Sequence, residues 1–203
     1  MKIHREEKVT QWTIDQVQSE ISFEVSHLVI SHVKGEFSQF DATIFTNDSD
    51  FSTADISLKI KSKSLNTDDS KLDAQLRGAD FLNTDDHKQI TFTSTSVSRS
   101  SDTDRMNLMG DLTVAGITRN VKLDMRMGLA TTDSWGEATA CIIINGKLTR
   151  EQWGLRWSAA MEDAGFLIGD ELTIFCKMEL YSIGQHDAKK EPDAVARQRS
   201  VAS

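Results

Sequence analysis

Few residues in this chain have the types and spacings that chemistry needs. Ser26-His27 and His32 place a hydroxyl and two imidazoles close together. Such groups suit the polar head of a ligand, and they equally suit the unpaired backbone groups at a strand end. Without an acidic partner to orient it, a histidine is a weak sign of general base work. His27 and His32 are five apart, which matches no common zinc spacing, so no metal site is expected. Asp170-Glu171 after Gly169 forms a polar turn before a strand, and no partner acid or nucleophile accompanies it. Cys141 and Cys176 lie inside apolar runs, where a thiol behaves as a small buried hydrophobe, and no disulfide is expected between them. Gly-rich phosphate loops, Ser-His-Asp signatures and Cys-His clusters are absent from the sequence. The chemistry on offer is binding, and the reading is that the chain is not an enzyme.

Composition narrows the partner. The chain has 203 residues and a net charge of -8, with a pI near 5.1. Nucleic-acid binders carry a basic face that releases counterions, and no basic stripe is present here. The strongest local charge, six carboxylates against Lys71 and Arg77 between Asn66 and Asp86, reads as a solvated acidic segment. The N-terminus lacks the apolar run of a secretory signal, and no apolar stretch is long enough to span a bilayer, so a soluble cytoplasmic protein is expected.

The elements that must position any site are strands. Gly110 to Asp124 is the clearest hairpin: Leu112 and Val114 lead into Ala115-Gly116, Val121 and Leu123 lead out, and Gly116 can take the positive φ of a tight turn. Period-two alternation recurs at Trp12-Thr-Ile-Asp15, at Ile21, Phe23 and Val25, and at Ile56, Leu58 and Ile60. It recurs again at Ile90 and Phe92, and from Leu172 through Ile174, Cys176 and Met178 to Leu180. Leu28 to Val33 is an apolar run of undecided type, and Gly35, Phe37, Phe40, Ala42 and Ile44 read as one strand bent at Gly35. Ala140 to Gly146 is apolar on both faces, so it is covered or lines an interface. The one helix begins near Asn66-Thr67-Asp68-Asp69 with Thr67 as its cap, buries Leu72 and Leu76, and ends at Gly78. About eight strands with short turns and one short helix predict an all-β fold, an antiparallel barrel whose closure removes exposed edges. Residues 1–10 read as an extension, 11–183 as the barrel and 184–203 as a disordered tail.

Several stretches together resemble the YceI-like proteins, which are lipid-binding or polyisoprenoid-binding domains. They are Trp12-Thr-Ile-Asp15, Ile21-Ser-Phe-Glu-Val-Ser-His27, Val33-Lys-Gly-Glu-Phe-Ser-Gln-Phe40, Leu76-Arg-Gly-Ala-Asp-Phe81, Ile90-Thr-Phe92, Gly110 to Thr118, Trp153-Gly-Leu155 and Ile168-Gly-Asp-Glu-Leu172. The chain departs from the family's pattern at Gln18-Ser19, Leu72-Asp73 and Lys88-Gln89. The resemblance implies an extended lipocalin-like antiparallel β-barrel whose hydrophobic channel holds the isoprenoid tail of a quinone or prenyl lipid. It implies no catalytic chemistry, and it places His27 at the family's strand-end histidine.

The residues expected to touch such a ligand are Phe23, Val25, His27, Phe37, Phe40, Leu58, Phe81, Phe92, Leu112, Val114, Leu123, Trp153, Ile174 and Met178. Alternation supplies an inward face but does not distinguish an open lumen from a core filled by its own side chains. Two readings therefore stand: a non-catalytic carrier or store of an amphiphilic isoprenoid or other long-chain lipid, and a protein-interaction module with a filled barrel. No cofactor is expected beyond a bound isoprenoid quinone or prenyl lipid, and homodimerisation fits both readings.

Overall fold

The computed structural model describes residues 8–27, 31–101, 105–132, 138–156 and 168–187. Their strands are β1 (Lys8–Ile14), β2 (Glu20–His27), β3 (Ser31–Phe37), β4 (Phe40–Asn47), β5 (Asp50–Lys61) and β6 (Leu65–Asn66), followed after helix α1 (Ser70–Arg77) by β7 (Gln89–Arg99), β8 (Arg105–Val114), β9 (Ile117–Thr132), β10 (Ala138–Thr149) and β11 (Ile168–Asp187). Single 3₁₀ turns occupy Ser62–Ser64 and Arg150–Trp153. Paired strands thus begin at Lys8 and end at Asp187, wider on both sides than 11–183. The remainder of the expected tail, from residue 188 onward, lies outside the described residues.

β1, β4, β5, β7, β8, β9, β10 and β11 close into an eight-stranded antiparallel barrel through the β1–β11 pairing, as alternation predicts. The other three strands, β2, β3 and β6, branch from β11. β1 and β2 lie in file along one edge of β11, Ile14 facing Leu180 and Glu20 facing Lys177. The turn between them stays tied to the ladder: Asp15 N–H donates to Glu179 O at 2.8 Å, and Glu179 N–H donates to the Ser19 hydroxyl at 2.9 Å.

The same break corrects the reading of Gly35 to Ile44 as one bent strand. β3 pairs with β2 and β4 pairs with β1, and the chain steps between them at Ser38-Gln39. Inward residues are odd-numbered in β3 (Val33, Phe37) and even-numbered in β4 (Phe40, Ala42, Ile44), so a continuous strand with period two cannot keep both sets inside. Of the undecided Leu28 to Val33 run, Ser31, His32 and Val33 belong to β3, and residues 28–30 lie outside the described residues.

The β8–β9 hairpin forms as read, with Val114 opposite Ile117 and Gly110 opposite Val121. Both turn residues have positive φ, Ala115 at 46° and Gly116 at 76°, the handedness that a two-residue hairpin needs. Helix α1 differs at its start. Asp69, not Thr67, is the cap: its carboxylate accepts from Lys71 N–H at 2.9 Å and Leu72 N–H at 3.3 Å, because it immediately precedes the first helical residue. Thr67 instead donates its N–H and hydroxyl to Asp73 Oδ1, at 2.8 and 2.7 Å. Leu72 and Leu76 are buried, and Gly78 closes the helix in an extended conformation.

One half of the barrel is solid. Trp12, Ile44, Leu108, Met125 and Ile142 are wholly buried there, with Phe51 and Leu180 nearly so. Trp12 and Phe51 pack with ring centroids 5.1 Å apart. The Trp12 indole N–H donates to Thr46 Oγ1 at 2.9 Å, and the Thr46 hydroxyl donates to Asp48 O at 2.6 Å, so both polar groups are satisfied in the core. On the two-sided strand β10, Ile142 and Ile144 face inward while Cys141 and Ile143 are half-buried on the outer face.

Candidate functional site

The other half holds a partly open cavity of about 160 Å³. Its walls come from β2, β3, β5, β6, α1, β7 to β11 and the segment around Arg150 to Leu155. Apart from Ser22 and Arg150 the lining is aliphatic, aromatic or sulfur-bearing. Well-packed interiors hold few voids larger than a water molecule, and apolar cavities of about 150 Å³ stay dry and admit apolar guests.

Strand glycines help to hold this space open. A Cβ at Gly110 would lie 2.3 Å from Phe92 Cζ, and one at Gly35 would lie 2.3 Å from Phe23 Cζ. Each ring therefore lies over a bare backbone and stays close to the wall instead of projecting across the lumen. At the end of the cavity, Gly154 adopts φ 68° and turns the chain after the 3₁₀ turn, and the Trp153 indole donates to Leu112 O at 3.1 Å. Trp153 is thus both corner and wall; Trp157 lies outside the described residues.

Twelve of the expected ligand-contacting residues line this cavity: Phe23, Val25, Phe37, Leu58, Phe81, Phe92, Leu112, Val114, Leu123, Trp153, Ile174 and Met178. Phe40 is buried opposite Ile60 but is not among the lining residues. Ile44, on the same inward face as Phe40, sits in the solid half. Only the backbone of His27 is described; it ends β2, opposite Ser31 and Ile168. His32 has an acidic neighbour: its Nδ1 lies 3.0 Å from Glu24 Oε1. That exposed pair stands beside another, Lys34 Nζ to Glu20 Oε1 at 3.0 Å, whose hydrogen bond holds the Glu20 carboxyl below its ordinary value. Neither pair belongs to the cavity lining.

Arg150 was not legible as a site residue. Its side chain is only 9% exposed, and its guanidinium donates from Nη1 to Leu155 O at 2.7 Å, from Nε to Gly169 O at 3.2 Å and from Nη2 to Asp170 Oδ1 at 2.5 Å. Gly169 and Asp170, expected in a polar turn before the strand, lie instead within β11 and serve as partners of a buried cation. Ile56, Ile60 and Ile90 also line the cavity, and the alternation that marked Leu58 and Phe92 put them on the same faces. Leu65, Leu76 and Leu82 come from short segments with no alternation to mark them.

Both cysteines are free. Cys176 faces the cavity, opposite Ile144, whereas Cys141 lies opposite Glu179 with the reverse parity. Burial pushes the Cys176 thiol up to about 12. Burial and the adjacent Glu179 carboxylate raise Cys141 as well. Neither thiol is poised as a nucleophile at neutral pH.

Comparison with known proteins agrees with this architecture. A UPF0312 protein of Staphylococcus aureus is 33% identical over 178 residues, covering 87% of this chain and all of that protein. The crystal structure of Burkholderia cenocepacia BcnA superposes with a TM-score of 0.70 at 17% identity, over 82% of this chain and 98% of that one. A polyisoprenoid binding domain from Saccharophagus degradans superposes at 0.61 with 13% identity, over 84% and 97% of the two chains. At those identities the structural likenesses establish the fold alone. Among the described residues no helix is long and apolar enough to cross a membrane. With the YceI-like domain model matching residues 12–180, nearly the whole of the paired strands, the chain belongs to the YceI-like family.

Proposed function

We propose that this protein is a non-catalytic carrier of an amphiphilic isoprenoid, a quinone or prenyl lipid, whose tail occupies the cavity. The observation that carries the reading is the cavity itself, whose apolar wall is built from nine strands, α1 and the Arg150–Trp153 turn. Removing tail area from water supplies about 25 cal/mol per Å² before ordering costs are subtracted, so a few polar contacts suffice. Arg150 is the charged member of the lining, and the polar head belongs at its end of the cavity. The Saccharophagus degradans domain, which shares this fold and is described as polyisoprenoid binding, supports the same class of ligand. The filled-barrel module is less favoured, because the solid core occupies only the half that holds Trp12 and Phe51.

The test is native mass spectrometry of gently purified protein, followed by organic extraction and identification of what is released. A stoichiometric prenyl lipid or quinone is expected. Protein that arrives empty and then takes up no added prenyl lipid would refute the reading. Leu112→Asp, which puts a carboxylate into the wall, is expected to abolish uptake in a protein that still folds.

A further inference from the structure

We infer that residues 65–87, which carry β6, α1 and the turns after it, form a lid on the cavity, and that its opening at the β6–β3 seam is the route by which a guest enters and leaves. The inference rests on the carrier reading and adds to it the moving part. The two ends of this segment meet: Ser62 N–H donates to Lys88 O at 3.0 Å and closes the excursion at its base. That base is fixed to the barrel, because Ser38 N–H donates to Ser64 O at 3.2 Å and Gln39 N–H donates to the Ser64 hydroxyl at 3.1 Å.

Beyond the base the segment is tied to itself. Asp73, buried in α1, accepts from the Thr67 N–H and hydroxyl and, at 3.2 Å, from Arg77 Nη2, which also donates to Leu65 O. Leu76 O accepts from Leu82 N–H at 3.1 Å and Arg77 O accepts from Thr84 N–H at 3.0 Å, so the turn after α1 folds back onto the helix. A unit bonded in this way swings without unpairing these groups.

Toward the barrel the segment turns an apolar face, on which Leu65, Leu76, Phe81 and Leu82 line the cavity. Its ladder to the barrel is two residues long, with Leu65 opposite Phe37 and Asn66 opposite Glu36. By contrast, β8 and β9 pair from Arg105 to Val114 without a break. On the edge of β3 that meets β6, Ser31 to Gly35 have no strand partner among the described residues. Local opening begins where a ladder is shortest, so this seam yields before the rest of the wall. Its parting extends the unpaired edge of β3 into a side entrance to the cavity.

The experiment locks the seam. Glu36 and Asn66 are antiparallel partners, and such partners have Cα atoms about 4.5–5.5 Å apart, within the reach of a disulfide. Glu36→Cys and Asn66→Cys are combined with Cys141→Ser in the full chain, which is oxidised with diamide. Binding of the apolar dye N-phenyl-1-naphthylamine is then followed by stopped-flow fluorescence before and after reduction. Association and dissociation are both expected to be at least about tenfold slower in the oxidised form, with affinity changed by less than about threefold. Unchanged rates in protein whose cross-link is confirmed by mass would overturn the lid.

Hydrogen exchange of the unliganded wild-type chain is the second test and needs neither variant nor dye. The amides of α1, Leu82 and Thr84 are expected to exchange together, at least about tenfold faster than those of β8 and β9. Protection equal to that of β8 and β9, or amides that exchange independently of one another, overturns the lid and leaves the carrier standing. Failure of the dye and of added prenyl lipid to bind either form overturns the carrier reading, and the lid then stands or falls by its hydrogen exchange.

Discussion

Gly110→Ala tests the claim that the lumen is open because aromatic rings lie over bare backbone. The added Cβ would lie 2.3 and 2.4 Å from two atoms of the Phe92 ring and 2.7 Å from Thr93 O. Ordinary carbon contacts begin near 3.5 Å, so the ring must retreat by about 1 Å, and the only empty direction is into the cavity. Overpacking of this kind costs about 1–3 kcal/mol of stability. Prenyl-lipid affinity is expected to fall about tenfold, because the displaced ring takes the place of tail atoms. Thermal unfolding and lipid titration read the two effects separately. In a Phe92→Leu background the ring is gone, so at least half of the penalty from Gly110→Ala should disappear, leaving the part due to Thr93 O. Fully additive losses in the double variant would refute the reasoning.

Other perturbations address separate parts of the molecule. Ala115→Asn replaces a residue held at φ 46° with one that tolerates the left-handed region, and should raise stability by about 0.5–1 kcal/mol in chemical denaturation. Arg150→Met strips Leu155 O and Gly169 O of a buried donor and should cost about 2–4 kcal/mol; Arg150→Lys should not restore it, because an ammonium cannot reproduce the fork. Cys176, ordinarily near 9.0, is raised to about 12 in the folded protein. The folded state thus keeps a proton that the unfolded chain gives up, so its contribution is complete below pH 9 and declines as pH rises toward 12. Cys176→Ala should flatten that alkaline limb of the stability profile, and an unchanged slope would show that the thiol is not buried as described.

Alternation made most of this fold legible, because each barrel strand has one wet face and one dry face. It made most of the cavity wall legible for the same reason: Phe23, Leu58, Leu112 and Ile174 each stand on the apolar face of a strongly alternating run. What it hid were the breaks. The phase change from Phe37 to Phe40 was present in the sequence as a three-residue step between inward aromatics, but a bend at Gly35 absorbed it in the reading. Arg150 was hidden for a different reason. A buried cation is acceptable only with partners from distant positions, here Gly169 and Asp170, and no local pattern announces such a pairing. The extent of the void was equally hidden, since Phe40 and Phe92 stand on equally good inward faces and only the latter meets empty space.

The breaks explain why only half of the barrel is open. On β11 the partner changes from β2 to β1 between Lys177 and Leu180, and Met178, the last residue of β11 to line the cavity, lies inside that interval. Beside β1 the sheet closes directly through β4 and β5, an eight-strand circumference whose interior is just wide enough for side chains to fill. Beside β2 the route runs instead through β3 and the two-residue β6, which carries the wall on to α1 and Leu76 before the chain returns as β7. A wall that takes in a helix and its following turn is longer than one built from the same strands alone. The inward side chains that pack solidly in the first half therefore leave a gap in the second. On this account the steps at Asp15–Ser19 and Ser38-Gln39 are the device by which one sheet builds a rigid plug and a binding chamber in the same barrel.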